Sequence, residues 1–333
     1  MATSAVHNFN AQWDHNTAHL QPPSRPRQLA WNLFSIVCFP ILLVRHAGFA
    51  VGSLANRVVL PAAHYSEAQV AEVKREFDAA WARPGAPTMY TQESVSVTTP
   101  TGVPLSALVF RHRKAEPGAR TVICFNGNGQ LARDHVLPWP AVVAAQTGAV
   151  CNVMTWDYPR KYGTTADLVL AGASVAQYVE RDLRVPPKEI RFCGTSLGGA
   201  VAIHTKALNP EFAGPLLVDR SFRSLTLMVQ SIVTRIFGEG IFSRSVGRAV
   251  DASLRSQGYR FDSEAELKKC RGPVLVTHHN EDRVIPPDAS LGPVVSREQA
   301  LHLTHGTQQG DAHNTPLGYY IGERDRATQF LLQ

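Results

Sequence analysis

Cysteine and lysine are scarce in this chain of 333 residues, with 5 and 7 copies. The cysteines form no C-x-x-C pair. Cys124 and Cys193 fall inside apolar runs of strand length and Cys151 opens another, which argues for buried, reduced thiols and against a zinc site or a disulfide framework. The 7 lysines and 26 arginines give a net charge of +6 but are scattered and build no dense basic tract, so nucleic acid is not expected as a partner. No internal repeat is visible.

A long apolar run is also missing. The stretch Leu29 to Val44, LAWNLFSIVCFPILLV, has 16 residues. As a helix it would rise about 24 Å, short of the roughly 30 Å hydrocarbon layer, and Pro40 would kink it. A cleaved signal peptide fits poorly, because the leader is long and Arg45 interrupts the approach to any small-residue site. Three readings stay open: an interfacial anchor over residues 29–60 giving peripheral membrane contact, a helical arm packed on the rest of the chain, or a single membrane span. Residues 1–28, rich in Asn, Gln, His, Ser and Pro, read as a disordered leader. The localisation expected from this is cytoplasmic or at a membrane surface.

What is present is ordered. Residues Ser66 to Ala82 have helical spacing, and Pro84-Gly85-Ala86-Pro87 reads as a hinge. The division expected is a leader at 1–28, an arm at 29–88 and a catalytic domain at 89–333. The alternating stretches Ser94 to Thr99 and Leu105 to Arg111, split by Pro100-Thr101-Gly102, predict a β-hairpin. Apolar runs at Thr121–Phe125, Val150–Trp156, Ile190–Cys193, Gly214–Val218 and Pro273–Thr277 then alternate with helical segments such as Ala166–Arg181 and Gly198–Leu208. That is an α/β chain with a mostly parallel central sheet flanked by helices.

Between the third of those runs and its helix stands Gly194-Thr195-Ser196-Leu197-Gly198, a G-x-S-x-G. The pentapeptide alone is common, but between strand and helix it is the setting in which a serine hydroxyl is exposed as a nucleophile. Serine needs a base to remove its proton and a carboxylate to orient that base, arriving in the order Ser, acid, His. Asp282, past the run Pro273–Thr277, is the favoured acid, with Asp219 and Glu281 as alternatives. His313, in Gly310-Asp311-Ala312-His313-Asn314, is the favoured base, with His305 as rival. His278 and His279 would line a pocket or support the turn; a metal site over His278, His279, Glu281 and Asp282 is not expected, since four residues in five crowd one loop. The loop Phe125-Asn126-Gly127-Asn128-Gly129 and the residue after the serine would supply oxyanion donors, the amides of Asn128 and Leu197.

Leu225, Met228 and Val229, with Ile232, Val233, Ile236 and Phe237, follow helical spacing inside a region, 221–270, that would form a pocket wall or lid. Leu225, Met228 and Val229 are the expected substrate contacts for an apolar acyl group; the same spacing also suits an amphipathic helix packed on the sheet.

Taken together, FNGNG, WDYPRKYGTT, GTSLGGAVAIH, VDRSFRSL, HHNEDRVIP and GDAHNTP resemble the α/β-hydrolase superfamily over roughly residues 90–333. The resemblance is greater to its lipid- and acyl-cleaving serine hydrolases. It implies the α/β-hydrolase fold, Ser196 as nucleophile, Asp282 as acid, His313 as base, Asn128 and Leu197 at the oxyanion, and no cofactor. Two positions depart from the family pattern. Asn126 stands where His is usual, altering what holds that loop, and His279 replaces a usual Gly, adding bulk and charge near the pocket. The segments FPILLV and VVLPA are faintly similar to hydrolases of host-associated bacteria, which implies secretion into a host cell. The function expected is cleavage of a lipid ester or acyl thioester. The alternatives are a soluble carboxylesterase or peptidase, and a non-catalytic binding protein on the same scaffold.

Overall fold

The computed structural model of the protein describes residues 65–82, 88–134, 137–159, 164–304 and 312–332. The leader, the Leu29–Val44 stretch, the 84–87 hinge and His305 lie outside them. Helix α1, Glu67–Trp81, starts on a capping box between Ser66 and Gln69. The hairpin follows as β1, Tyr90–Thr98, and β2, Pro104–His112.

From there strands and helices alternate: β3 Thr121–Phe125, α2 Trp139–Thr147, β4 Asn152–Trp156, α3 Thr165–Arg181, β5 Ile190–Thr195, α4 Leu197–Leu208 and β6 Leu216–Asp219. Three helices in a row interrupt the alternation: α5 Leu225–Phe237, α6 Ile241–Ser256 and the short α7 Ser263–Leu267. The chain then returns to β7 Val274–His278, β8 Ala300–His302 and α8 Ile321–Leu332.

Among the described residues the eight strands form one sheet in the order β1-β2-β4-β3-β5-β6-β7-β8. β2 pairs antiparallel with β1 and β4, and every later pairing is parallel. Strands β3 to β7 are buried along almost their whole length because both faces are covered. Ile123, Phe125, Ile190, Phe192, Leu216, Val218, Val274 and Val276 point into one core. Their neighbours Val122, Cys124, Cys193, Leu217 and Leu275 point into the other, as the two-residue period of a strand requires. Cys124, Cys151 and Cys193 are buried free thiols. No helix among the described residues is long and apolar enough to cross a membrane.

This topology gathers the carboxyl ends of β3, β5, β6 and β7 on one edge of the sheet, and loops leaving those ends can meet there.

Candidate active site

Ser196 sits between β5 and α4 with φ 55° and ψ −120°, a backbone conformation that costs a non-glycine residue roughly 1–3 kcal/mol. The surroundings enforce it. A Cβ on Gly194 would fall 2.4 Å from the Gly198 carbonyl oxygen, and one on Gly198 would fall 2.1 Å from that of Phe125. The strand, the turn and the helix pass too closely for any side chain at those two positions. The Ser196 amide donates to the Asp219 carbonyl at 2.8 Å, pinning the turn to the end of β6.

The serine hydroxyl meets a histidine. Ser196 Oγ lies 3.0 Å from His313 Nε2, and His313 Nδ1 lies 2.7 Å from Asp282 Oδ2. All three residues are buried. Asp282 Oδ1 accepts the amides of Val284 at 2.9 Å and Ile285 at 2.8 Å, so the carboxylate is held by its own loop while its other oxygen faces the imidazole. The apolar Val284-Ile285 that follows the acid thus also supplies its donors.

The other candidates are engaged elsewhere. Asp219 is held bidentately by Arg220, Nε to Oδ1 at 2.8 Å and Nη2 to Oδ2 at 2.6 Å, and Thr277 donates to Oδ1 at 2.5 Å. Glu281 is exposed. His279 is not among the residues lining the cavity: its Nδ1 accepts the Glu281 amide at 3.0 Å, its carbonyl accepts the Asp282 amide at 3.2 Å, and its ring packs near His302 and Tyr320. Of the two roles expected for His279, lining a pocket or supporting the turn, these contacts match the second: it lies in the turn that presents Asp282.

His278 stacks on His302, ring centroids 4.9 Å apart. Burial first, then His302 and His279, push its pKa down to about 4. Unfolded histidine protonates near pH 6.5. Between those values the unfolded chain binds a proton that the folded chain refuses, so this stabilisation is complete above about pH 6.5 and is lost as pH falls toward 4. The expected result is a urea midpoint that declines from pH 7 to pH 4.5 and declines less in His278→Gln. Parallel slopes for the two proteins would exclude His278 as the cause.

Arg220 was not marked by its sequence context. It occupies the left-handed region at φ 47° and is 2% exposed. Burial disfavours its charge, but Asp219 outweighs burial and holds its pKa above the ordinary value. Beyond Asp219, its Nη1 donates to the carbonyls of Ala312 at 2.7 Å and Thr315 at 2.5 Å, the residues that bracket His313. A guanidinium fork is suited to such multiple fixed contacts. The histidine loop is thereby tied to the end of β6.

Ahead of the serine, the 126–130 loop is fastened from several sides. Asn126 Nδ2 donates to the Trp156 carbonyl at 2.9 Å, and the buried Tyr158 hydroxyl donates to the Asn126 carbonyl at 2.7 Å. This is how the loop is held with Asn in place of His. Gln130 Oε1 takes the Gly127 amide at 2.8 Å. Asn128 and Leu197 both line a cavity of about 390 Å³ that contains Ser196 and His313. Leu225 and Met228 form part of its wall, as does Ile232. Val229 does not: it belongs to the buried core.

Among solved structures, Est1E from Butyrivibrio proteoclasticus superposes with a TM-score of 0.52 at 15% identity, covering 72% of this chain and 97% of that one. The chain has the α/β-hydrolase fold. This chain is similar as well to acetyl xylan esterase 1 from Thermoanaerobacterium sp. JW/SL YS485, with a TM-score of 0.50 at 17% identity, covering 80% of this chain and 93% of that one. In sequence it is similar to the protein bem46 of Schizosaccharomyces pombe, 24% identical over 249 residues, which are 70% of this chain and 77% of that one. No family model matches the chain.

Proposed function

We propose that this α/β-hydrolase is a serine hydrolase that cleaves the ester or thioester of an acylated or lipid substrate through an acyl-enzyme. The reading is carried by the hydrogen-bonded Ser196, His313 and Asp282 on a strained elbow at an apolar cavity. His313 Nε2 takes the Ser196 proton as Oγ attacks the acyl carbon. Asp282 orients the ring and balances its charge, and the amides of Asn128 and Leu197 face the developing oxyanion. Collapse of the tetrahedral intermediate expels the alcohol or thiol, which takes the proton from the imidazolium. Water then repeats the sequence, with His313 as base, and releases the acid.

Leu225, Met228 and Ile232 on the wall favour an apolar acyl group over a charged one. The name of acetyl xylan esterase 1, which shares the fold, points to ester cleavage for that protein and supports the same bond class here. The test is labelling with a fluorophosphonate, followed by hydrolysis of p-nitrophenyl esters of increasing chain length beside an acyl thioester. The wild type should be labelled and Ser196→Ala should not, with turnover rising from acetate to longer acyl groups. Equal labelling of Ser196→Ala would remove the nucleophile assignment, and turnover that falls with chain length would remove the apolar acyl group.

A further inference from the structure

The helices beside the cavity end in an exposed apolar tip. Ile236 and Phe237 close α5 and Ile241 and Phe242 open α6, with 66%, 55%, 78% and 66% of their surfaces exposed. A lone exposed apolar residue is ordinary. Four large ones within seven positions form a patch, and the rings of Phe237 and Phe242 pack edge to face with centroids 5.5 Å apart.

The patch continues the cavity wall. Leu225, Met228 and Ile232 line the cavity, and Ile236 follows Ile232 by four residues, on the same helix face about 6 Å farther along. Val284, 43% exposed, lines the cavity as well. Arg235 donates to the Arg283 carbonyl at 3.4 Å, which brings the end of α5 beside the turn bearing Val284.

Arginines surround the tip. Arg235, Arg244, Arg248 and Arg283 are exposed, and none forms an ion pair with a carboxylate among the described residues. Glu239 and Glu281 are the exposed acidic residues within 235–248 and 281–284, so the local balance of exposed charge is positive. On α6, Arg244 and Arg248 fall three and seven residues after Ile241, on its face of the helix. An apolar tip collared by arginine matches a surface that sinks into acyl chains while its charges meet anionic headgroups.

We propose that the α5–α6 tip docks the protein on a lipid surface bearing anionic headgroups, and that an acyl chain passes from that surface along Ile236 and Ile232 toward Ser196. The passage of substrate rests on the serine hydrolase reading. Docking itself needs no catalysis.

The full chain carrying Ser196→Ala is floated with vesicles of phosphatidylcholine, with and without phosphatidylglycerol. It should float with the anionic vesicles, and Phe237→Asp combined with Phe242→Asp should lower the bound fraction by about tenfold or more. Arg244→Glu with Arg248→Glu should weaken binding to the anionic vesicles only. In the Ser196 background of the wild type, the two aspartates should leave hydrolysis of a soluble butyrate ester within about twofold, showing that the fold is retained. Absence of flotation by the parent, or flotation unchanged by the aspartates, overturns the proposal. A dimer in sedimentation that the aspartates split, without loss of flotation, would assign the tip to a second copy instead. If no ester is hydrolysed while the flotation results hold, the docking surface stands and the serine hydrolase reading falls.

Discussion

Replacing Asp282 by Asn should lower kcat for a p-nitrophenyl ester by about 10⁴-fold, with little change in KM. The reason lies in how Asp282 is held. Its Oδ1 receives the Val284 and Ile285 amides, and only Oδ2 faces His313 Nδ1. In Asp282→Asn the amide oxygen keeps the two backbone donors, so the NH₂ group is turned to the imidazole. That group donates where the carboxylate accepted. Nδ1 must then be the bare nitrogen, and the proton moves to Nε2, which can no longer accept from Ser196. Since shape and burial are nearly unchanged, the melting temperature should shift far less than the rate. A variant within tenfold of wild type would show that the carboxylate does not set the tautomer.

The second large effect is expected at Arg220. Arg220→Met leaves Asp219 as a buried carboxylate without its cation and releases the carbonyls of Ala312 and Thr315. Removing one partner of a buried pair costs about 3–5 kcal/mol. Arg220→Lys separates stability from position. The charge stays beside Asp219, but an ammonium cannot hold both carboxylate oxygens and both carbonyls in one plane. The histidine loop then loses its tether, and displacement of His313 by about 1 Å is expected to lower kcat near 10²-fold while KM changes little. Urea unfolding and steady-state kinetics on the same preparation test this. A lysine variant that is less stable but retains wild-type kcat would make Arg220 part of the fold and not of the positioning of His313.

The elements legible in the sequence were those whose pattern is local. Thr121–Phe125 is a strand over the expected residues, and the 90–112 hairpin and the helices at 165–181 and 197–208 lie within a few residues of where periodicity put them. α2 was not marked, because its buried Pro140, Ala141, Val143 and Ala144 lie around much of the helix and leave no apolar stripe to read. β8 has three residues, too few for an alternation to register. Leu225 and Met228 reach the cavity while Val229 does not, since spacing identifies a helix but not the direction in which its broad apolar face is divided between cavity and core.

The sequence by itself determined the alternating α/β order, the elbow around Ser196 and the short set of acids and histidines downstream, because each of these is written in contiguous residues. Only the tertiary structure brings one acid and one histidine of that set to the serine. Asp282 and Asp219 both follow strands, and what separates them is an arginine. Arg220 neutralises one, leaving the other to face His313. That same arginine reaches carbonyls 92 and 95 residues farther along the chain. Contacts of this range depend on which strand ends lie side by side in the sheet, and neighbours in a parallel sheet are set by crossovers that no local pattern records.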